Sequence, residues 1–302
     1  IQNNVYYQIS EKGISKFGND SATGLRRFRH LGGVQVSANP VIAARAYEEY
    51  PDLWDEFREV IKEHPEWQES PEEYGDEIAL YGTISSLLSS WLIFRPLFLN
   101  SNFYDGLVSY QLNPHVATDA ESSVEDAMQI YSILQDTLQK YDANLVWDSD
   151  SKEGMGRPNI VFKIATCCPD AIEITEKLAS MGIGANNTVT YTVAQEVRLI
   201  LAHMKGLAKA KNAGIPITKM YETNMIGRLE DHLREVNAEQ LLKEGLENAE
   251  NKREFLMGMA EDMEVTDEID DTDTVDDIVK KLSARKLLDE VNRYGPLQSL
   301  LN

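Results

Sequence analysis

The chain contains very little cysteine, and the placement of that cysteine excludes two common ways of stabilising a fold. Its two cysteines, Cys167 and Cys168, are neighbours in the 302-residue sequence. Adjacent cysteines cannot join distant segments, so a disulfide scaffold is excluded and a reducing, cytoplasmic compartment is favoured. Together with five scattered histidines they also supply too few ligands for a zinc site.

Positive charge and long apolar runs are also scarce. The 29 Lys and Arg residues stand against 50 Asp and Glu residues, which gives a formal net charge of −21. Nucleic acids and anionic lipids both attract basic surfaces, so we expect neither a nucleic-acid partner nor a membrane partner. No apolar run reaches the roughly 18 residues of a membrane-spanning helix. Residues 84–99 come closest, but serines and Arg95 interrupt them, which predicts a buried helix.

The composition is that of an ordinary globular protein, with 42% apolar and 26% charged residues. From about residue 30 to residue 228, segments with helical periodicity alternate with short β-rich runs, which is typical of a parallel sheet. The predicted helices between the strands are 52–63, 123–141, 170–181 and 193–212. The predicted strands are 33–39, 107–113, 159–165, 187–192 and 218–223, with an earlier one at 14–20.

Several predicted strands become polar at alternate positions near their carboxyl ends. Alternate strand residues point to opposite faces, so each polar set shares one face. A polar interior at the carboxyl ends of strands is where barrel enzymes carry their chemistry, which favours a TIM-type (β/α)8 barrel. A doubly wound open sheet is the alternative, but its usual glycine-rich turn after the first strand is missing. The polar sets are Gln35, Ser37 and Asn39, then Ser109, Gln111 and Asn113, then Asn186, Thr188, Thr190 and Thr192.

The sequence changes character after Arg228. Residues 229–250 and 279–301 have helical patterns, a weak strand pattern occurs at 254–259, and residues 261–277 contain ten acidic residues and no lysine or arginine. We therefore predict a barrel domain at 1–228 and an acidic, mainly helical region at 229–302 that packs on the barrel or completes it. A complete barrel needs two more strands after Arg228, so the last two strands are predicted to be incomplete or divergent.

Lys163 is the residue that points most directly to chemistry. It lies within the predicted strand 159–165, between Phe162 and Ile164. On the inward face of a strand, desolvation would lower the pKa of the amine, and a neutral amine can form a Schiff base with a carbonyl. The alternative is an ion-paired lysine at a strand end, and the residue alone does not decide between them.

Five segments, in order, resemble the transaldolase family over roughly residues 14–228. The segment around Lys163 resembles the one that carries the Schiff-base lysine of that family. The others resemble an early strand of that family, its third strand with the following turn, and its fifth and sixth strands. The five segments are 157–166 (RPNIVFKIAT), 33–42 (GVQVSANPVI), 105–119 (DGLVSYQLNPHVATD), 186–195 (NNTVTYTVAQ) and 223–228 (TNMIGR).

The resemblance implies a role for each matching position. Lys163 would form a Schiff base with a ketose phosphate, Asp20 would move the proton of the C4 hydroxyl, and Thr188 would position the catalytic water. It implies sugar-phosphate substrates and neither a metal nor an organic cofactor. Substrate-binding roles fall on Asn39 and Asn186 for the hydroxyls, Thr223 in place of a serine, and Arg228 for the phosphate.

Each of these positions also has an ordinary structural explanation. Asp20 could belong to a surface turn, and Asn39 could end a strand before Pro40. Thr188 could be chosen for β propensity alone. Arg228 could pair with Glu230 or Asp231.

Two positions depart from the transaldolase pattern and leave the function open. Gln111 stands where the family has the acid that activates water, as in the related fructose-6-phosphate aldolases, and Met225 stands where those aldolases have a tyrosine. A transaldolase of the pentose phosphate pathway is the first hypothesis. A lysine-dependent aldolase of the fructose-6-phosphate type is the second, and a non-catalytic barrel with a binding or assembly role is the third. A homo-oligomer is compatible with all three.

Overall fold

The computed structural model describes residues 3–144 and 154–284. The chain divides after Asn224 into two compact units, the second of which begins at Met225. Each unit has its own cluster of buried apolar side chains. The two units are described separately below.

The first unit is built on one sheet of six parallel strands. Each strand pairs with the next one along the chain, so the sheet order follows the sequence. This sequential order is that of a singly wound barrel, whereas a doubly wound sheet reverses its order at a switch point. The predicted α/β class is therefore confirmed, while no seventh or eighth strand occurs within 3–144 and 154–284. The strands are β1 (Phe17–Asp20), β2 (Gly33–Ser37), β3 (Leu107–Gln111), β4 (Ile160–Ala165), β5 (Gly184–Thr190) and β6 (Tyr221–Asn224).

Helices connect consecutive strands, as the parallel arrangement requires. The predicted helix 193–212 is confirmed as α9, because Thr192 and Gln195 form a capping box at its start. Gly182 follows α8 with a φ of 73°, a left-handed conformation that ends the helix cleanly. The helices are α1 (Val5–Glu11), α2 (Leu25–His30), α3 (Pro40–Glu49), α4 (Leu53–Glu63), α5 (Pro65–Glu69), α6 (Gly75–Asn100), α7 (Ala120–Ala143), α8 (Asp170–Ser180) and α9 (Val193–Asn212).

Helix α6 is long and apolar enough to cross a membrane by length and composition, and it is the one such helix in the described residues. Its contacts are those of a core helix, as predicted for residues 84–99. Trp91 and Phe94 are fully buried in the main apolar cluster. Arg95 is also fully buried and forms an ion pair with Asp142 of α7. A core helix of this kind meets the same criteria of length and hydropathy as a membrane span.

The buried ion pair also fixes the segment that leads into β4. Arg95 Nε donates to Asp142 Oδ1 at 2.9 Å, and its Nη1 donates to the carbonyl oxygen of Arg157 at 2.5 Å. The backbone N–H of Gly156 donates to Asp142 Oδ2 at 2.8 Å. Because a buried charge without its partner costs several kcal/mol, this network holds the entry to β4 in one position.

The two faces of the sheet have different surroundings. Side chains such as Val108, Phe162 and Ile164 join the main apolar cluster, together with residues of α6, α7 and α8. On the opposite face, Val161 packs with Tyr221 and with aromatic side chains at the end of α6 in a smaller cluster. The opposite face is thus closed by apolar side chains near the amino ends of the strands, which leaves polar side chains towards the carboxyl ends.

One carboxylate joins both edges of the sheet at the amino end. Asp105, just before β3, binds Lys16 before β1 at 2.6 Å and Lys219 before β6 at 2.8 Å. Burial alone would raise the pKa of Asp105, but the hydrogen bonds from the two lysines outweigh it and hold the pKa below its usual value. Since both edge strands reach one side chain, the six-stranded sheet is strongly curled.

The second unit contains helices and no strand in its described residues. Its helices are α10 (Ile226–Gly245), α11 (Lys252–Asp262) and α12 (Val275–Ser283). The weak strand predicted at 254–259 is wrong, because Leu256, Met259 and Ala260 recur at helical spacing and are buried on one face of α11. The predicted helix 279–301 overlaps the end of α12, and its remainder from residue 285 onward lies outside the described residues.

The acidic segment 261–277 runs from the last residues of α11 into the first turn of α12. Lys281 of α12 binds Asp273 at 2.6 Å and Asp270 at 3.3 Å. Arg253 donates to the backbone carbonyl of Asp270 at 3.0 Å. Lys281 thus neutralises part of the negative charge of the segment.

Candidate active site

Lys163 lies at the centre of the polar face of the sheet. It is in register with Gln111 of β3 and with Asn186 of β5. Its side chain is 8% exposed, while its neighbours Phe162 and Ile164 point into the main core on the other face. The Lys163 Nζ donates a hydrogen bond to Ser37 Oγ of β2 at 3.2 Å. The amine is therefore held inside the curl of the sheet rather than against the helices.

Asn186 links two further strands on the same face. Thr223 Oγ1 of β6 donates to Asn186 Oδ1 at 2.7 Å. The Asn186 Nδ2 in turn donates to Ser109 Oγ of β3 at 3.0 Å. Asn186 and Ser109 are both buried. The two hydroxyl groups together thus engage both the oxygen and the nitrogen of the Asn186 amide.

The structure thus brings together Lys163, Asn186 and Thr223 of the predicted site, and it adds Ser37 and Ser109. Neither serine was predicted as a site residue. A signal for both was present, since each belongs to a polar set on alternate positions of its strand. We refer to Ser37, Ser109, Lys163, Asn186 and Thr223 as the polar belt.

Thr188 follows Asn186 on the same face and pairs in register with Thr223. The prediction that Thr190 shares this face is wrong. The register shifts between Thr188 and Thr190, where Val189 has a φ of 66°, so Thr190 pairs with the next residue of β6 and turns to the other face. A bulge at a left-handed valine carries no recognisable sequence signal, which is why simple alternation failed here.

Thr192 also leaves the predicted polar face. It lies beyond the end of β5 and caps α9, accepting a hydrogen bond from the backbone N–H of Gln195 at 3.2 Å. Its hydroxyl therefore serves the helix and does not join the polar belt.

Asn39 and Gln111 line a cavity of about 230 Å³ beside the carboxyl ends of β2 and β3. The Asn39 Oδ1 caps α3 by accepting from the backbone N–H of Ile42 at 2.8 Å, so its oxygen is engaged within the protein. Asp126 of α7 lines the same cavity, and burial raises the pKa of its carboxyl group. The cavity is thus lined by several amide and acid side chains, among them the helix cap Asn39, Gln111 in register with the lysine, and the half-buried Asp126.

Asp20 and Arg228, two further residues of the predicted site, are both exposed. Asp20 is exposed at the end of the edge strand β1 and pairs in register with Ser37. Arg228 is exposed in the first turn of α10, in the second unit. Glu230, one of the ion partners considered for Arg228, pairs instead with Arg234 at 2.8 Å.

The belt presents a buried amine, three hydroxyls and one amide on one face of the sheet. Hydroxyl and amide groups of this kind can bind the hydroxyls of a sugar, and a desolvated amine can condense with its carbonyl. No cluster of three or more His, Cys, Asp or Glu side chains arranged for a metal occurs in residues 3–144 and 154–284. The fold and site define a parallel α/β protein with a lysine suited to carbonyl chemistry.

Comparison with known proteins gives the family. The family model described as transaldolase/fructose-6-phosphate aldolase matches residues 21–276, which is most of the chain. The chain therefore belongs to the transaldolase/fructose-6-phosphate aldolase family. The resemblance found in the five sequence segments is confirmed.

Curated relatives are distant and longer. The transaldolase of Thiobacillus denitrificans is 24% identical over 184 residues, which cover 61% of this chain and 43% of the relative. That of Trichodesmium erythraeum is 23% identical over 53% of this chain and 39% of its own length. Transaldolase 2 of Streptomyces avermitilis is 28% identical over 43% of this chain and 29% of its own length. The chain thus spans less than half the length of these relatives.

Proposed function

We propose that this chain carries out a transaldolase reaction, in which a dihydroxyacetone unit moves between sugar phosphates through a Schiff base on Lys163. The single observation that supports this most strongly is the buried Lys163, whose Nζ donates a hydrogen bond to the Ser37 hydroxyl on the inner face of the sheet. Family membership supports the same reaction class. The six strands are proposed to be the first six of a TIM-type barrel, and the cytoplasm is the proposed location.

The proposed reaction uses the protonated imine of Lys163 as an electron sink. The Lys163 nitrogen attacks the ketone of the donor sugar, water leaves, and a protonated imine forms. A base removes the proton of the C4 hydroxyl, the C3–C4 bond breaks, and its electron pair moves to the imine nitrogen. The aldose product departs while a three-carbon enamine stays on Lys163. The enamine then attacks the aldehyde of an acceptor sugar, and hydrolysis of the new imine releases the product.

The other predicted residues receive proposed roles in this scheme. Asn186 and Asn39 would bind sugar hydroxyls, and Thr188 would position water. Arg228 would bind the phosphate, for which a guanidinium is well suited. Thr223 would act next to Asn186, as the 2.7 Å bond between them suggests.

Gln111 affects both the acid–base step of the proposed mechanism and the choice between a transaldolase and an aldolase. An amide side chain cannot take up a proton as a carboxylate does, so Asp20 is proposed to carry the acid–base work. Gln111 is in register with Lys163. A glutamine at this position beside the amine favours a second candidate, a lysine-dependent aldolase. Such an enzyme releases the three-carbon ketone instead of transferring it.

The dependence on an acceptor separates these candidates. We expect the chain to consume fructose 6-phosphate quickly only when an aldose phosphate such as erythrose 4-phosphate is present. Consumption at the same rate without an acceptor, with release of dihydroxyacetone, would identify the aldolase. The absence of turnover in both assays would favour a binding or assembly role.

Substitution of the lysine tests the mechanism. We expect Lys163→Met to abolish turnover, since methionine keeps much of the length and the apolar stem but lacks the amine. Lys177→Met is the matched control, because Lys177 is an exposed residue of α8 that pairs with Glu173. Circular dichroism should show both variants folded. Wild-type turnover by Lys163→Met would contradict the mechanism.

A further inference from the structure

Ser37 is not a neighbour of Lys163 in the sheet, yet the two side chains meet. β3 lies between their strands, and Ser37 pairs in register with Ser109 of β3 rather than with the lysine strand. Adjacent strands are separated by about 4.8 Å, so the lysine side chain must lean across β3 to reach the serine. The 3.2 Å bond from Lys163 Nζ to Ser37 Oγ therefore fixes the direction in which the amine extends.

This hydrogen bond involves the atom that reacts in the proposed mechanism. The free amine has N–H groups to donate, and the protonated imine keeps one N–H after water has left. When the C3–C4 bond breaks, its electrons neutralise the nitrogen, and the resulting enamine still carries that N–H. A hydroxyl oxygen placed to accept from Nζ can thus keep its bond throughout the reaction. The bond is strongest when the nitrogen is cationic, because charge-assisted hydrogen bonds exceed neutral ones.

We propose that Ser37 is a further catalytic residue, whose hydroxyl oxygen accepts the N–H of the Lys163 imine and stabilises its protonated form. This inference rests on the proposed Schiff-base function. The protonated imine is the form that accepts electrons, so a group that favours it speeds C–C bond cleavage more than substrate binding. The hydrogen of the same hydroxyl remains free to bond an oxygen of the sugar.

The inference predicts a specific change in the pH profile. A hydrogen-bond acceptor next to the imine favours its cationic form and so raises the imine pKa. Its removal lowers that pKa, and the decline of kcat on the alkaline side should then begin at lower pH, by about one unit. We expect kcat for Ser37→Ala to fall by about tenfold or more at neutral pH, with a smaller change in KM.

Two variants serve as controls. Ser37→Thr keeps the hydroxyl and suits a strand, so it should restore most of kcat and the wild-type pH profile. Ser180→Ala removes a serine hydroxyl that bonds the backbone carbonyl of Lys177 in α8, and it should leave both quantities unchanged. Thermal unfolding of all variants identifies any loss of activity that comes from unfolding. A merely structural role for Ser37 would lower the amount of folded enzyme without moving the pH profile.

The outcomes separate this inference from the function on which it rests. Borohydride reduction of wild-type protein with fructose 6-phosphate should give an adduct on Lys163, and its absence would overturn both proposals. If wild type gives the adduct but Ser37→Ala has the wild-type kcat and pH profile, the role of Ser37 is refuted while the Schiff base stands. A lowered kcat, a shifted alkaline limb and rescue by Ser37→Thr together support the inference.

Discussion

At the scale of single residues, the hydrogen bonds of the Asn186 amide are the feature on which the proposed sugar binding depends. The Thr223 hydroxyl binds the Asn186 oxygen at 2.7 Å, and Ser109 accepts from the Asn186 nitrogen at 3.0 Å. An amide held by two partners has one N–H left to donate towards the inside of the curled sheet. A substrate hydroxyl that meets this group finds it already oriented, which avoids the entropy of fixing it on binding.

Thr223 is the residue to change. Thr223→Val keeps the shape but removes the O–H that binds Asn186, so the amide loses its fixed orientation. We expect kcat/KM for fructose 6-phosphate to fall by about tenfold, the usual effect of losing one buried hydrogen bond. Thr223→Ser retains the donor and should stay close to wild type. A loss confined to Thr223→Ser, with wild-type activity in Thr223→Val, would show that packing of the methyl group, rather than the hydrogen bond, matters here.

Some of these residues could be predicted from sequence and others could not. Lys163 was recognisable because a charge between two buried apolar residues of a strand must face the other way. Ser37 and Ser109 were visible as polar alternation, but a serine in a strand is too common to indicate a role. The contact between Ser37 and Lys163 depends on the curl of the sheet, which strand periodicity does not reveal.

At the scale of secondary-structure elements, the Asp105 clamp holds the two sheet edges together. β1 and β6 have four residues each and pair on one side only within the described sheet. Short edge strands contribute few ladder hydrogen bonds, so the ion pairs to Lys16 and Lys219 carry a large share of their attachment. The exposed fraction of the Asp105 side chain is 14%, which limits screening by solvent.

Loss of this carboxylate should weaken the sheet. We expect Asp105→Asn to lower the free energy of unfolding by about 2 kcal/mol at pH 7, since hydrogen bonds to a charged group are lost. Asp55→Asn is the matched control, because the ion pair of Asp55 with Arg58 is exposed and contributes little. Urea unfolding followed by circular dichroism measures both. Equal stability of the two variants would contradict the clamp.

The same ion pairs predict how the difference between wild type and Asp105→Asn varies with pH. The pKa of Asp105 in the folded protein is lower than its ordinary value of 3.8. A depressed folded pKa gives stability that is present above the unfolded value and lost as the pH falls through the folded value. The advantage of wild type should therefore shrink as the pH falls below about 4.

The elements themselves were predictable where local chemistry marks them. Helix α9 matched its predicted range because a capping box begins it, whereas α3 was not predicted although Asn39 caps it and Pro40 begins it. The start of β5 was placed three residues late, because Gly184 has no β propensity and gains its place from pairing with Val161 of β4. Tertiary pairing, rather than propensity, sets such boundaries.

At the scale of the whole molecule, the chain has two compact units with separate apolar clusters. The first unit, up to Asn224, contains the main core around residues such as Leu134, and the second contains a cluster around Leu256. The sequence-based division into a barrel and an acidic helical region remains a prediction about independent folding. Composition alone suggested it, since the acidic segment 261–277 has no lysine or arginine.

Two matched substitutions test that division. Leu134→Ala and Leu256→Ala each remove a fully buried leucine from one cluster, at an expected cost of about 2–5 kcal/mol. We expect calorimetry of the wild-type chain to show two unfolding transitions and each variant to lower the midpoint of a different one. A single transition that both variants lower equally would show that the chain unfolds as one cooperative unit.

The most direct test of the account is the chemical identity of the residue that binds the ketose. The wild-type chain is incubated with fructose 6-phosphate, reduced with borohydride, digested and analysed by peptide mass spectrometry, with Lys163→Met treated in parallel. The account predicts a reduced sugar adduct on the peptide that contains Lys163 and none in the variant. An adduct on a different lysine, or no adduct at all in the wild-type chain, would contradict it.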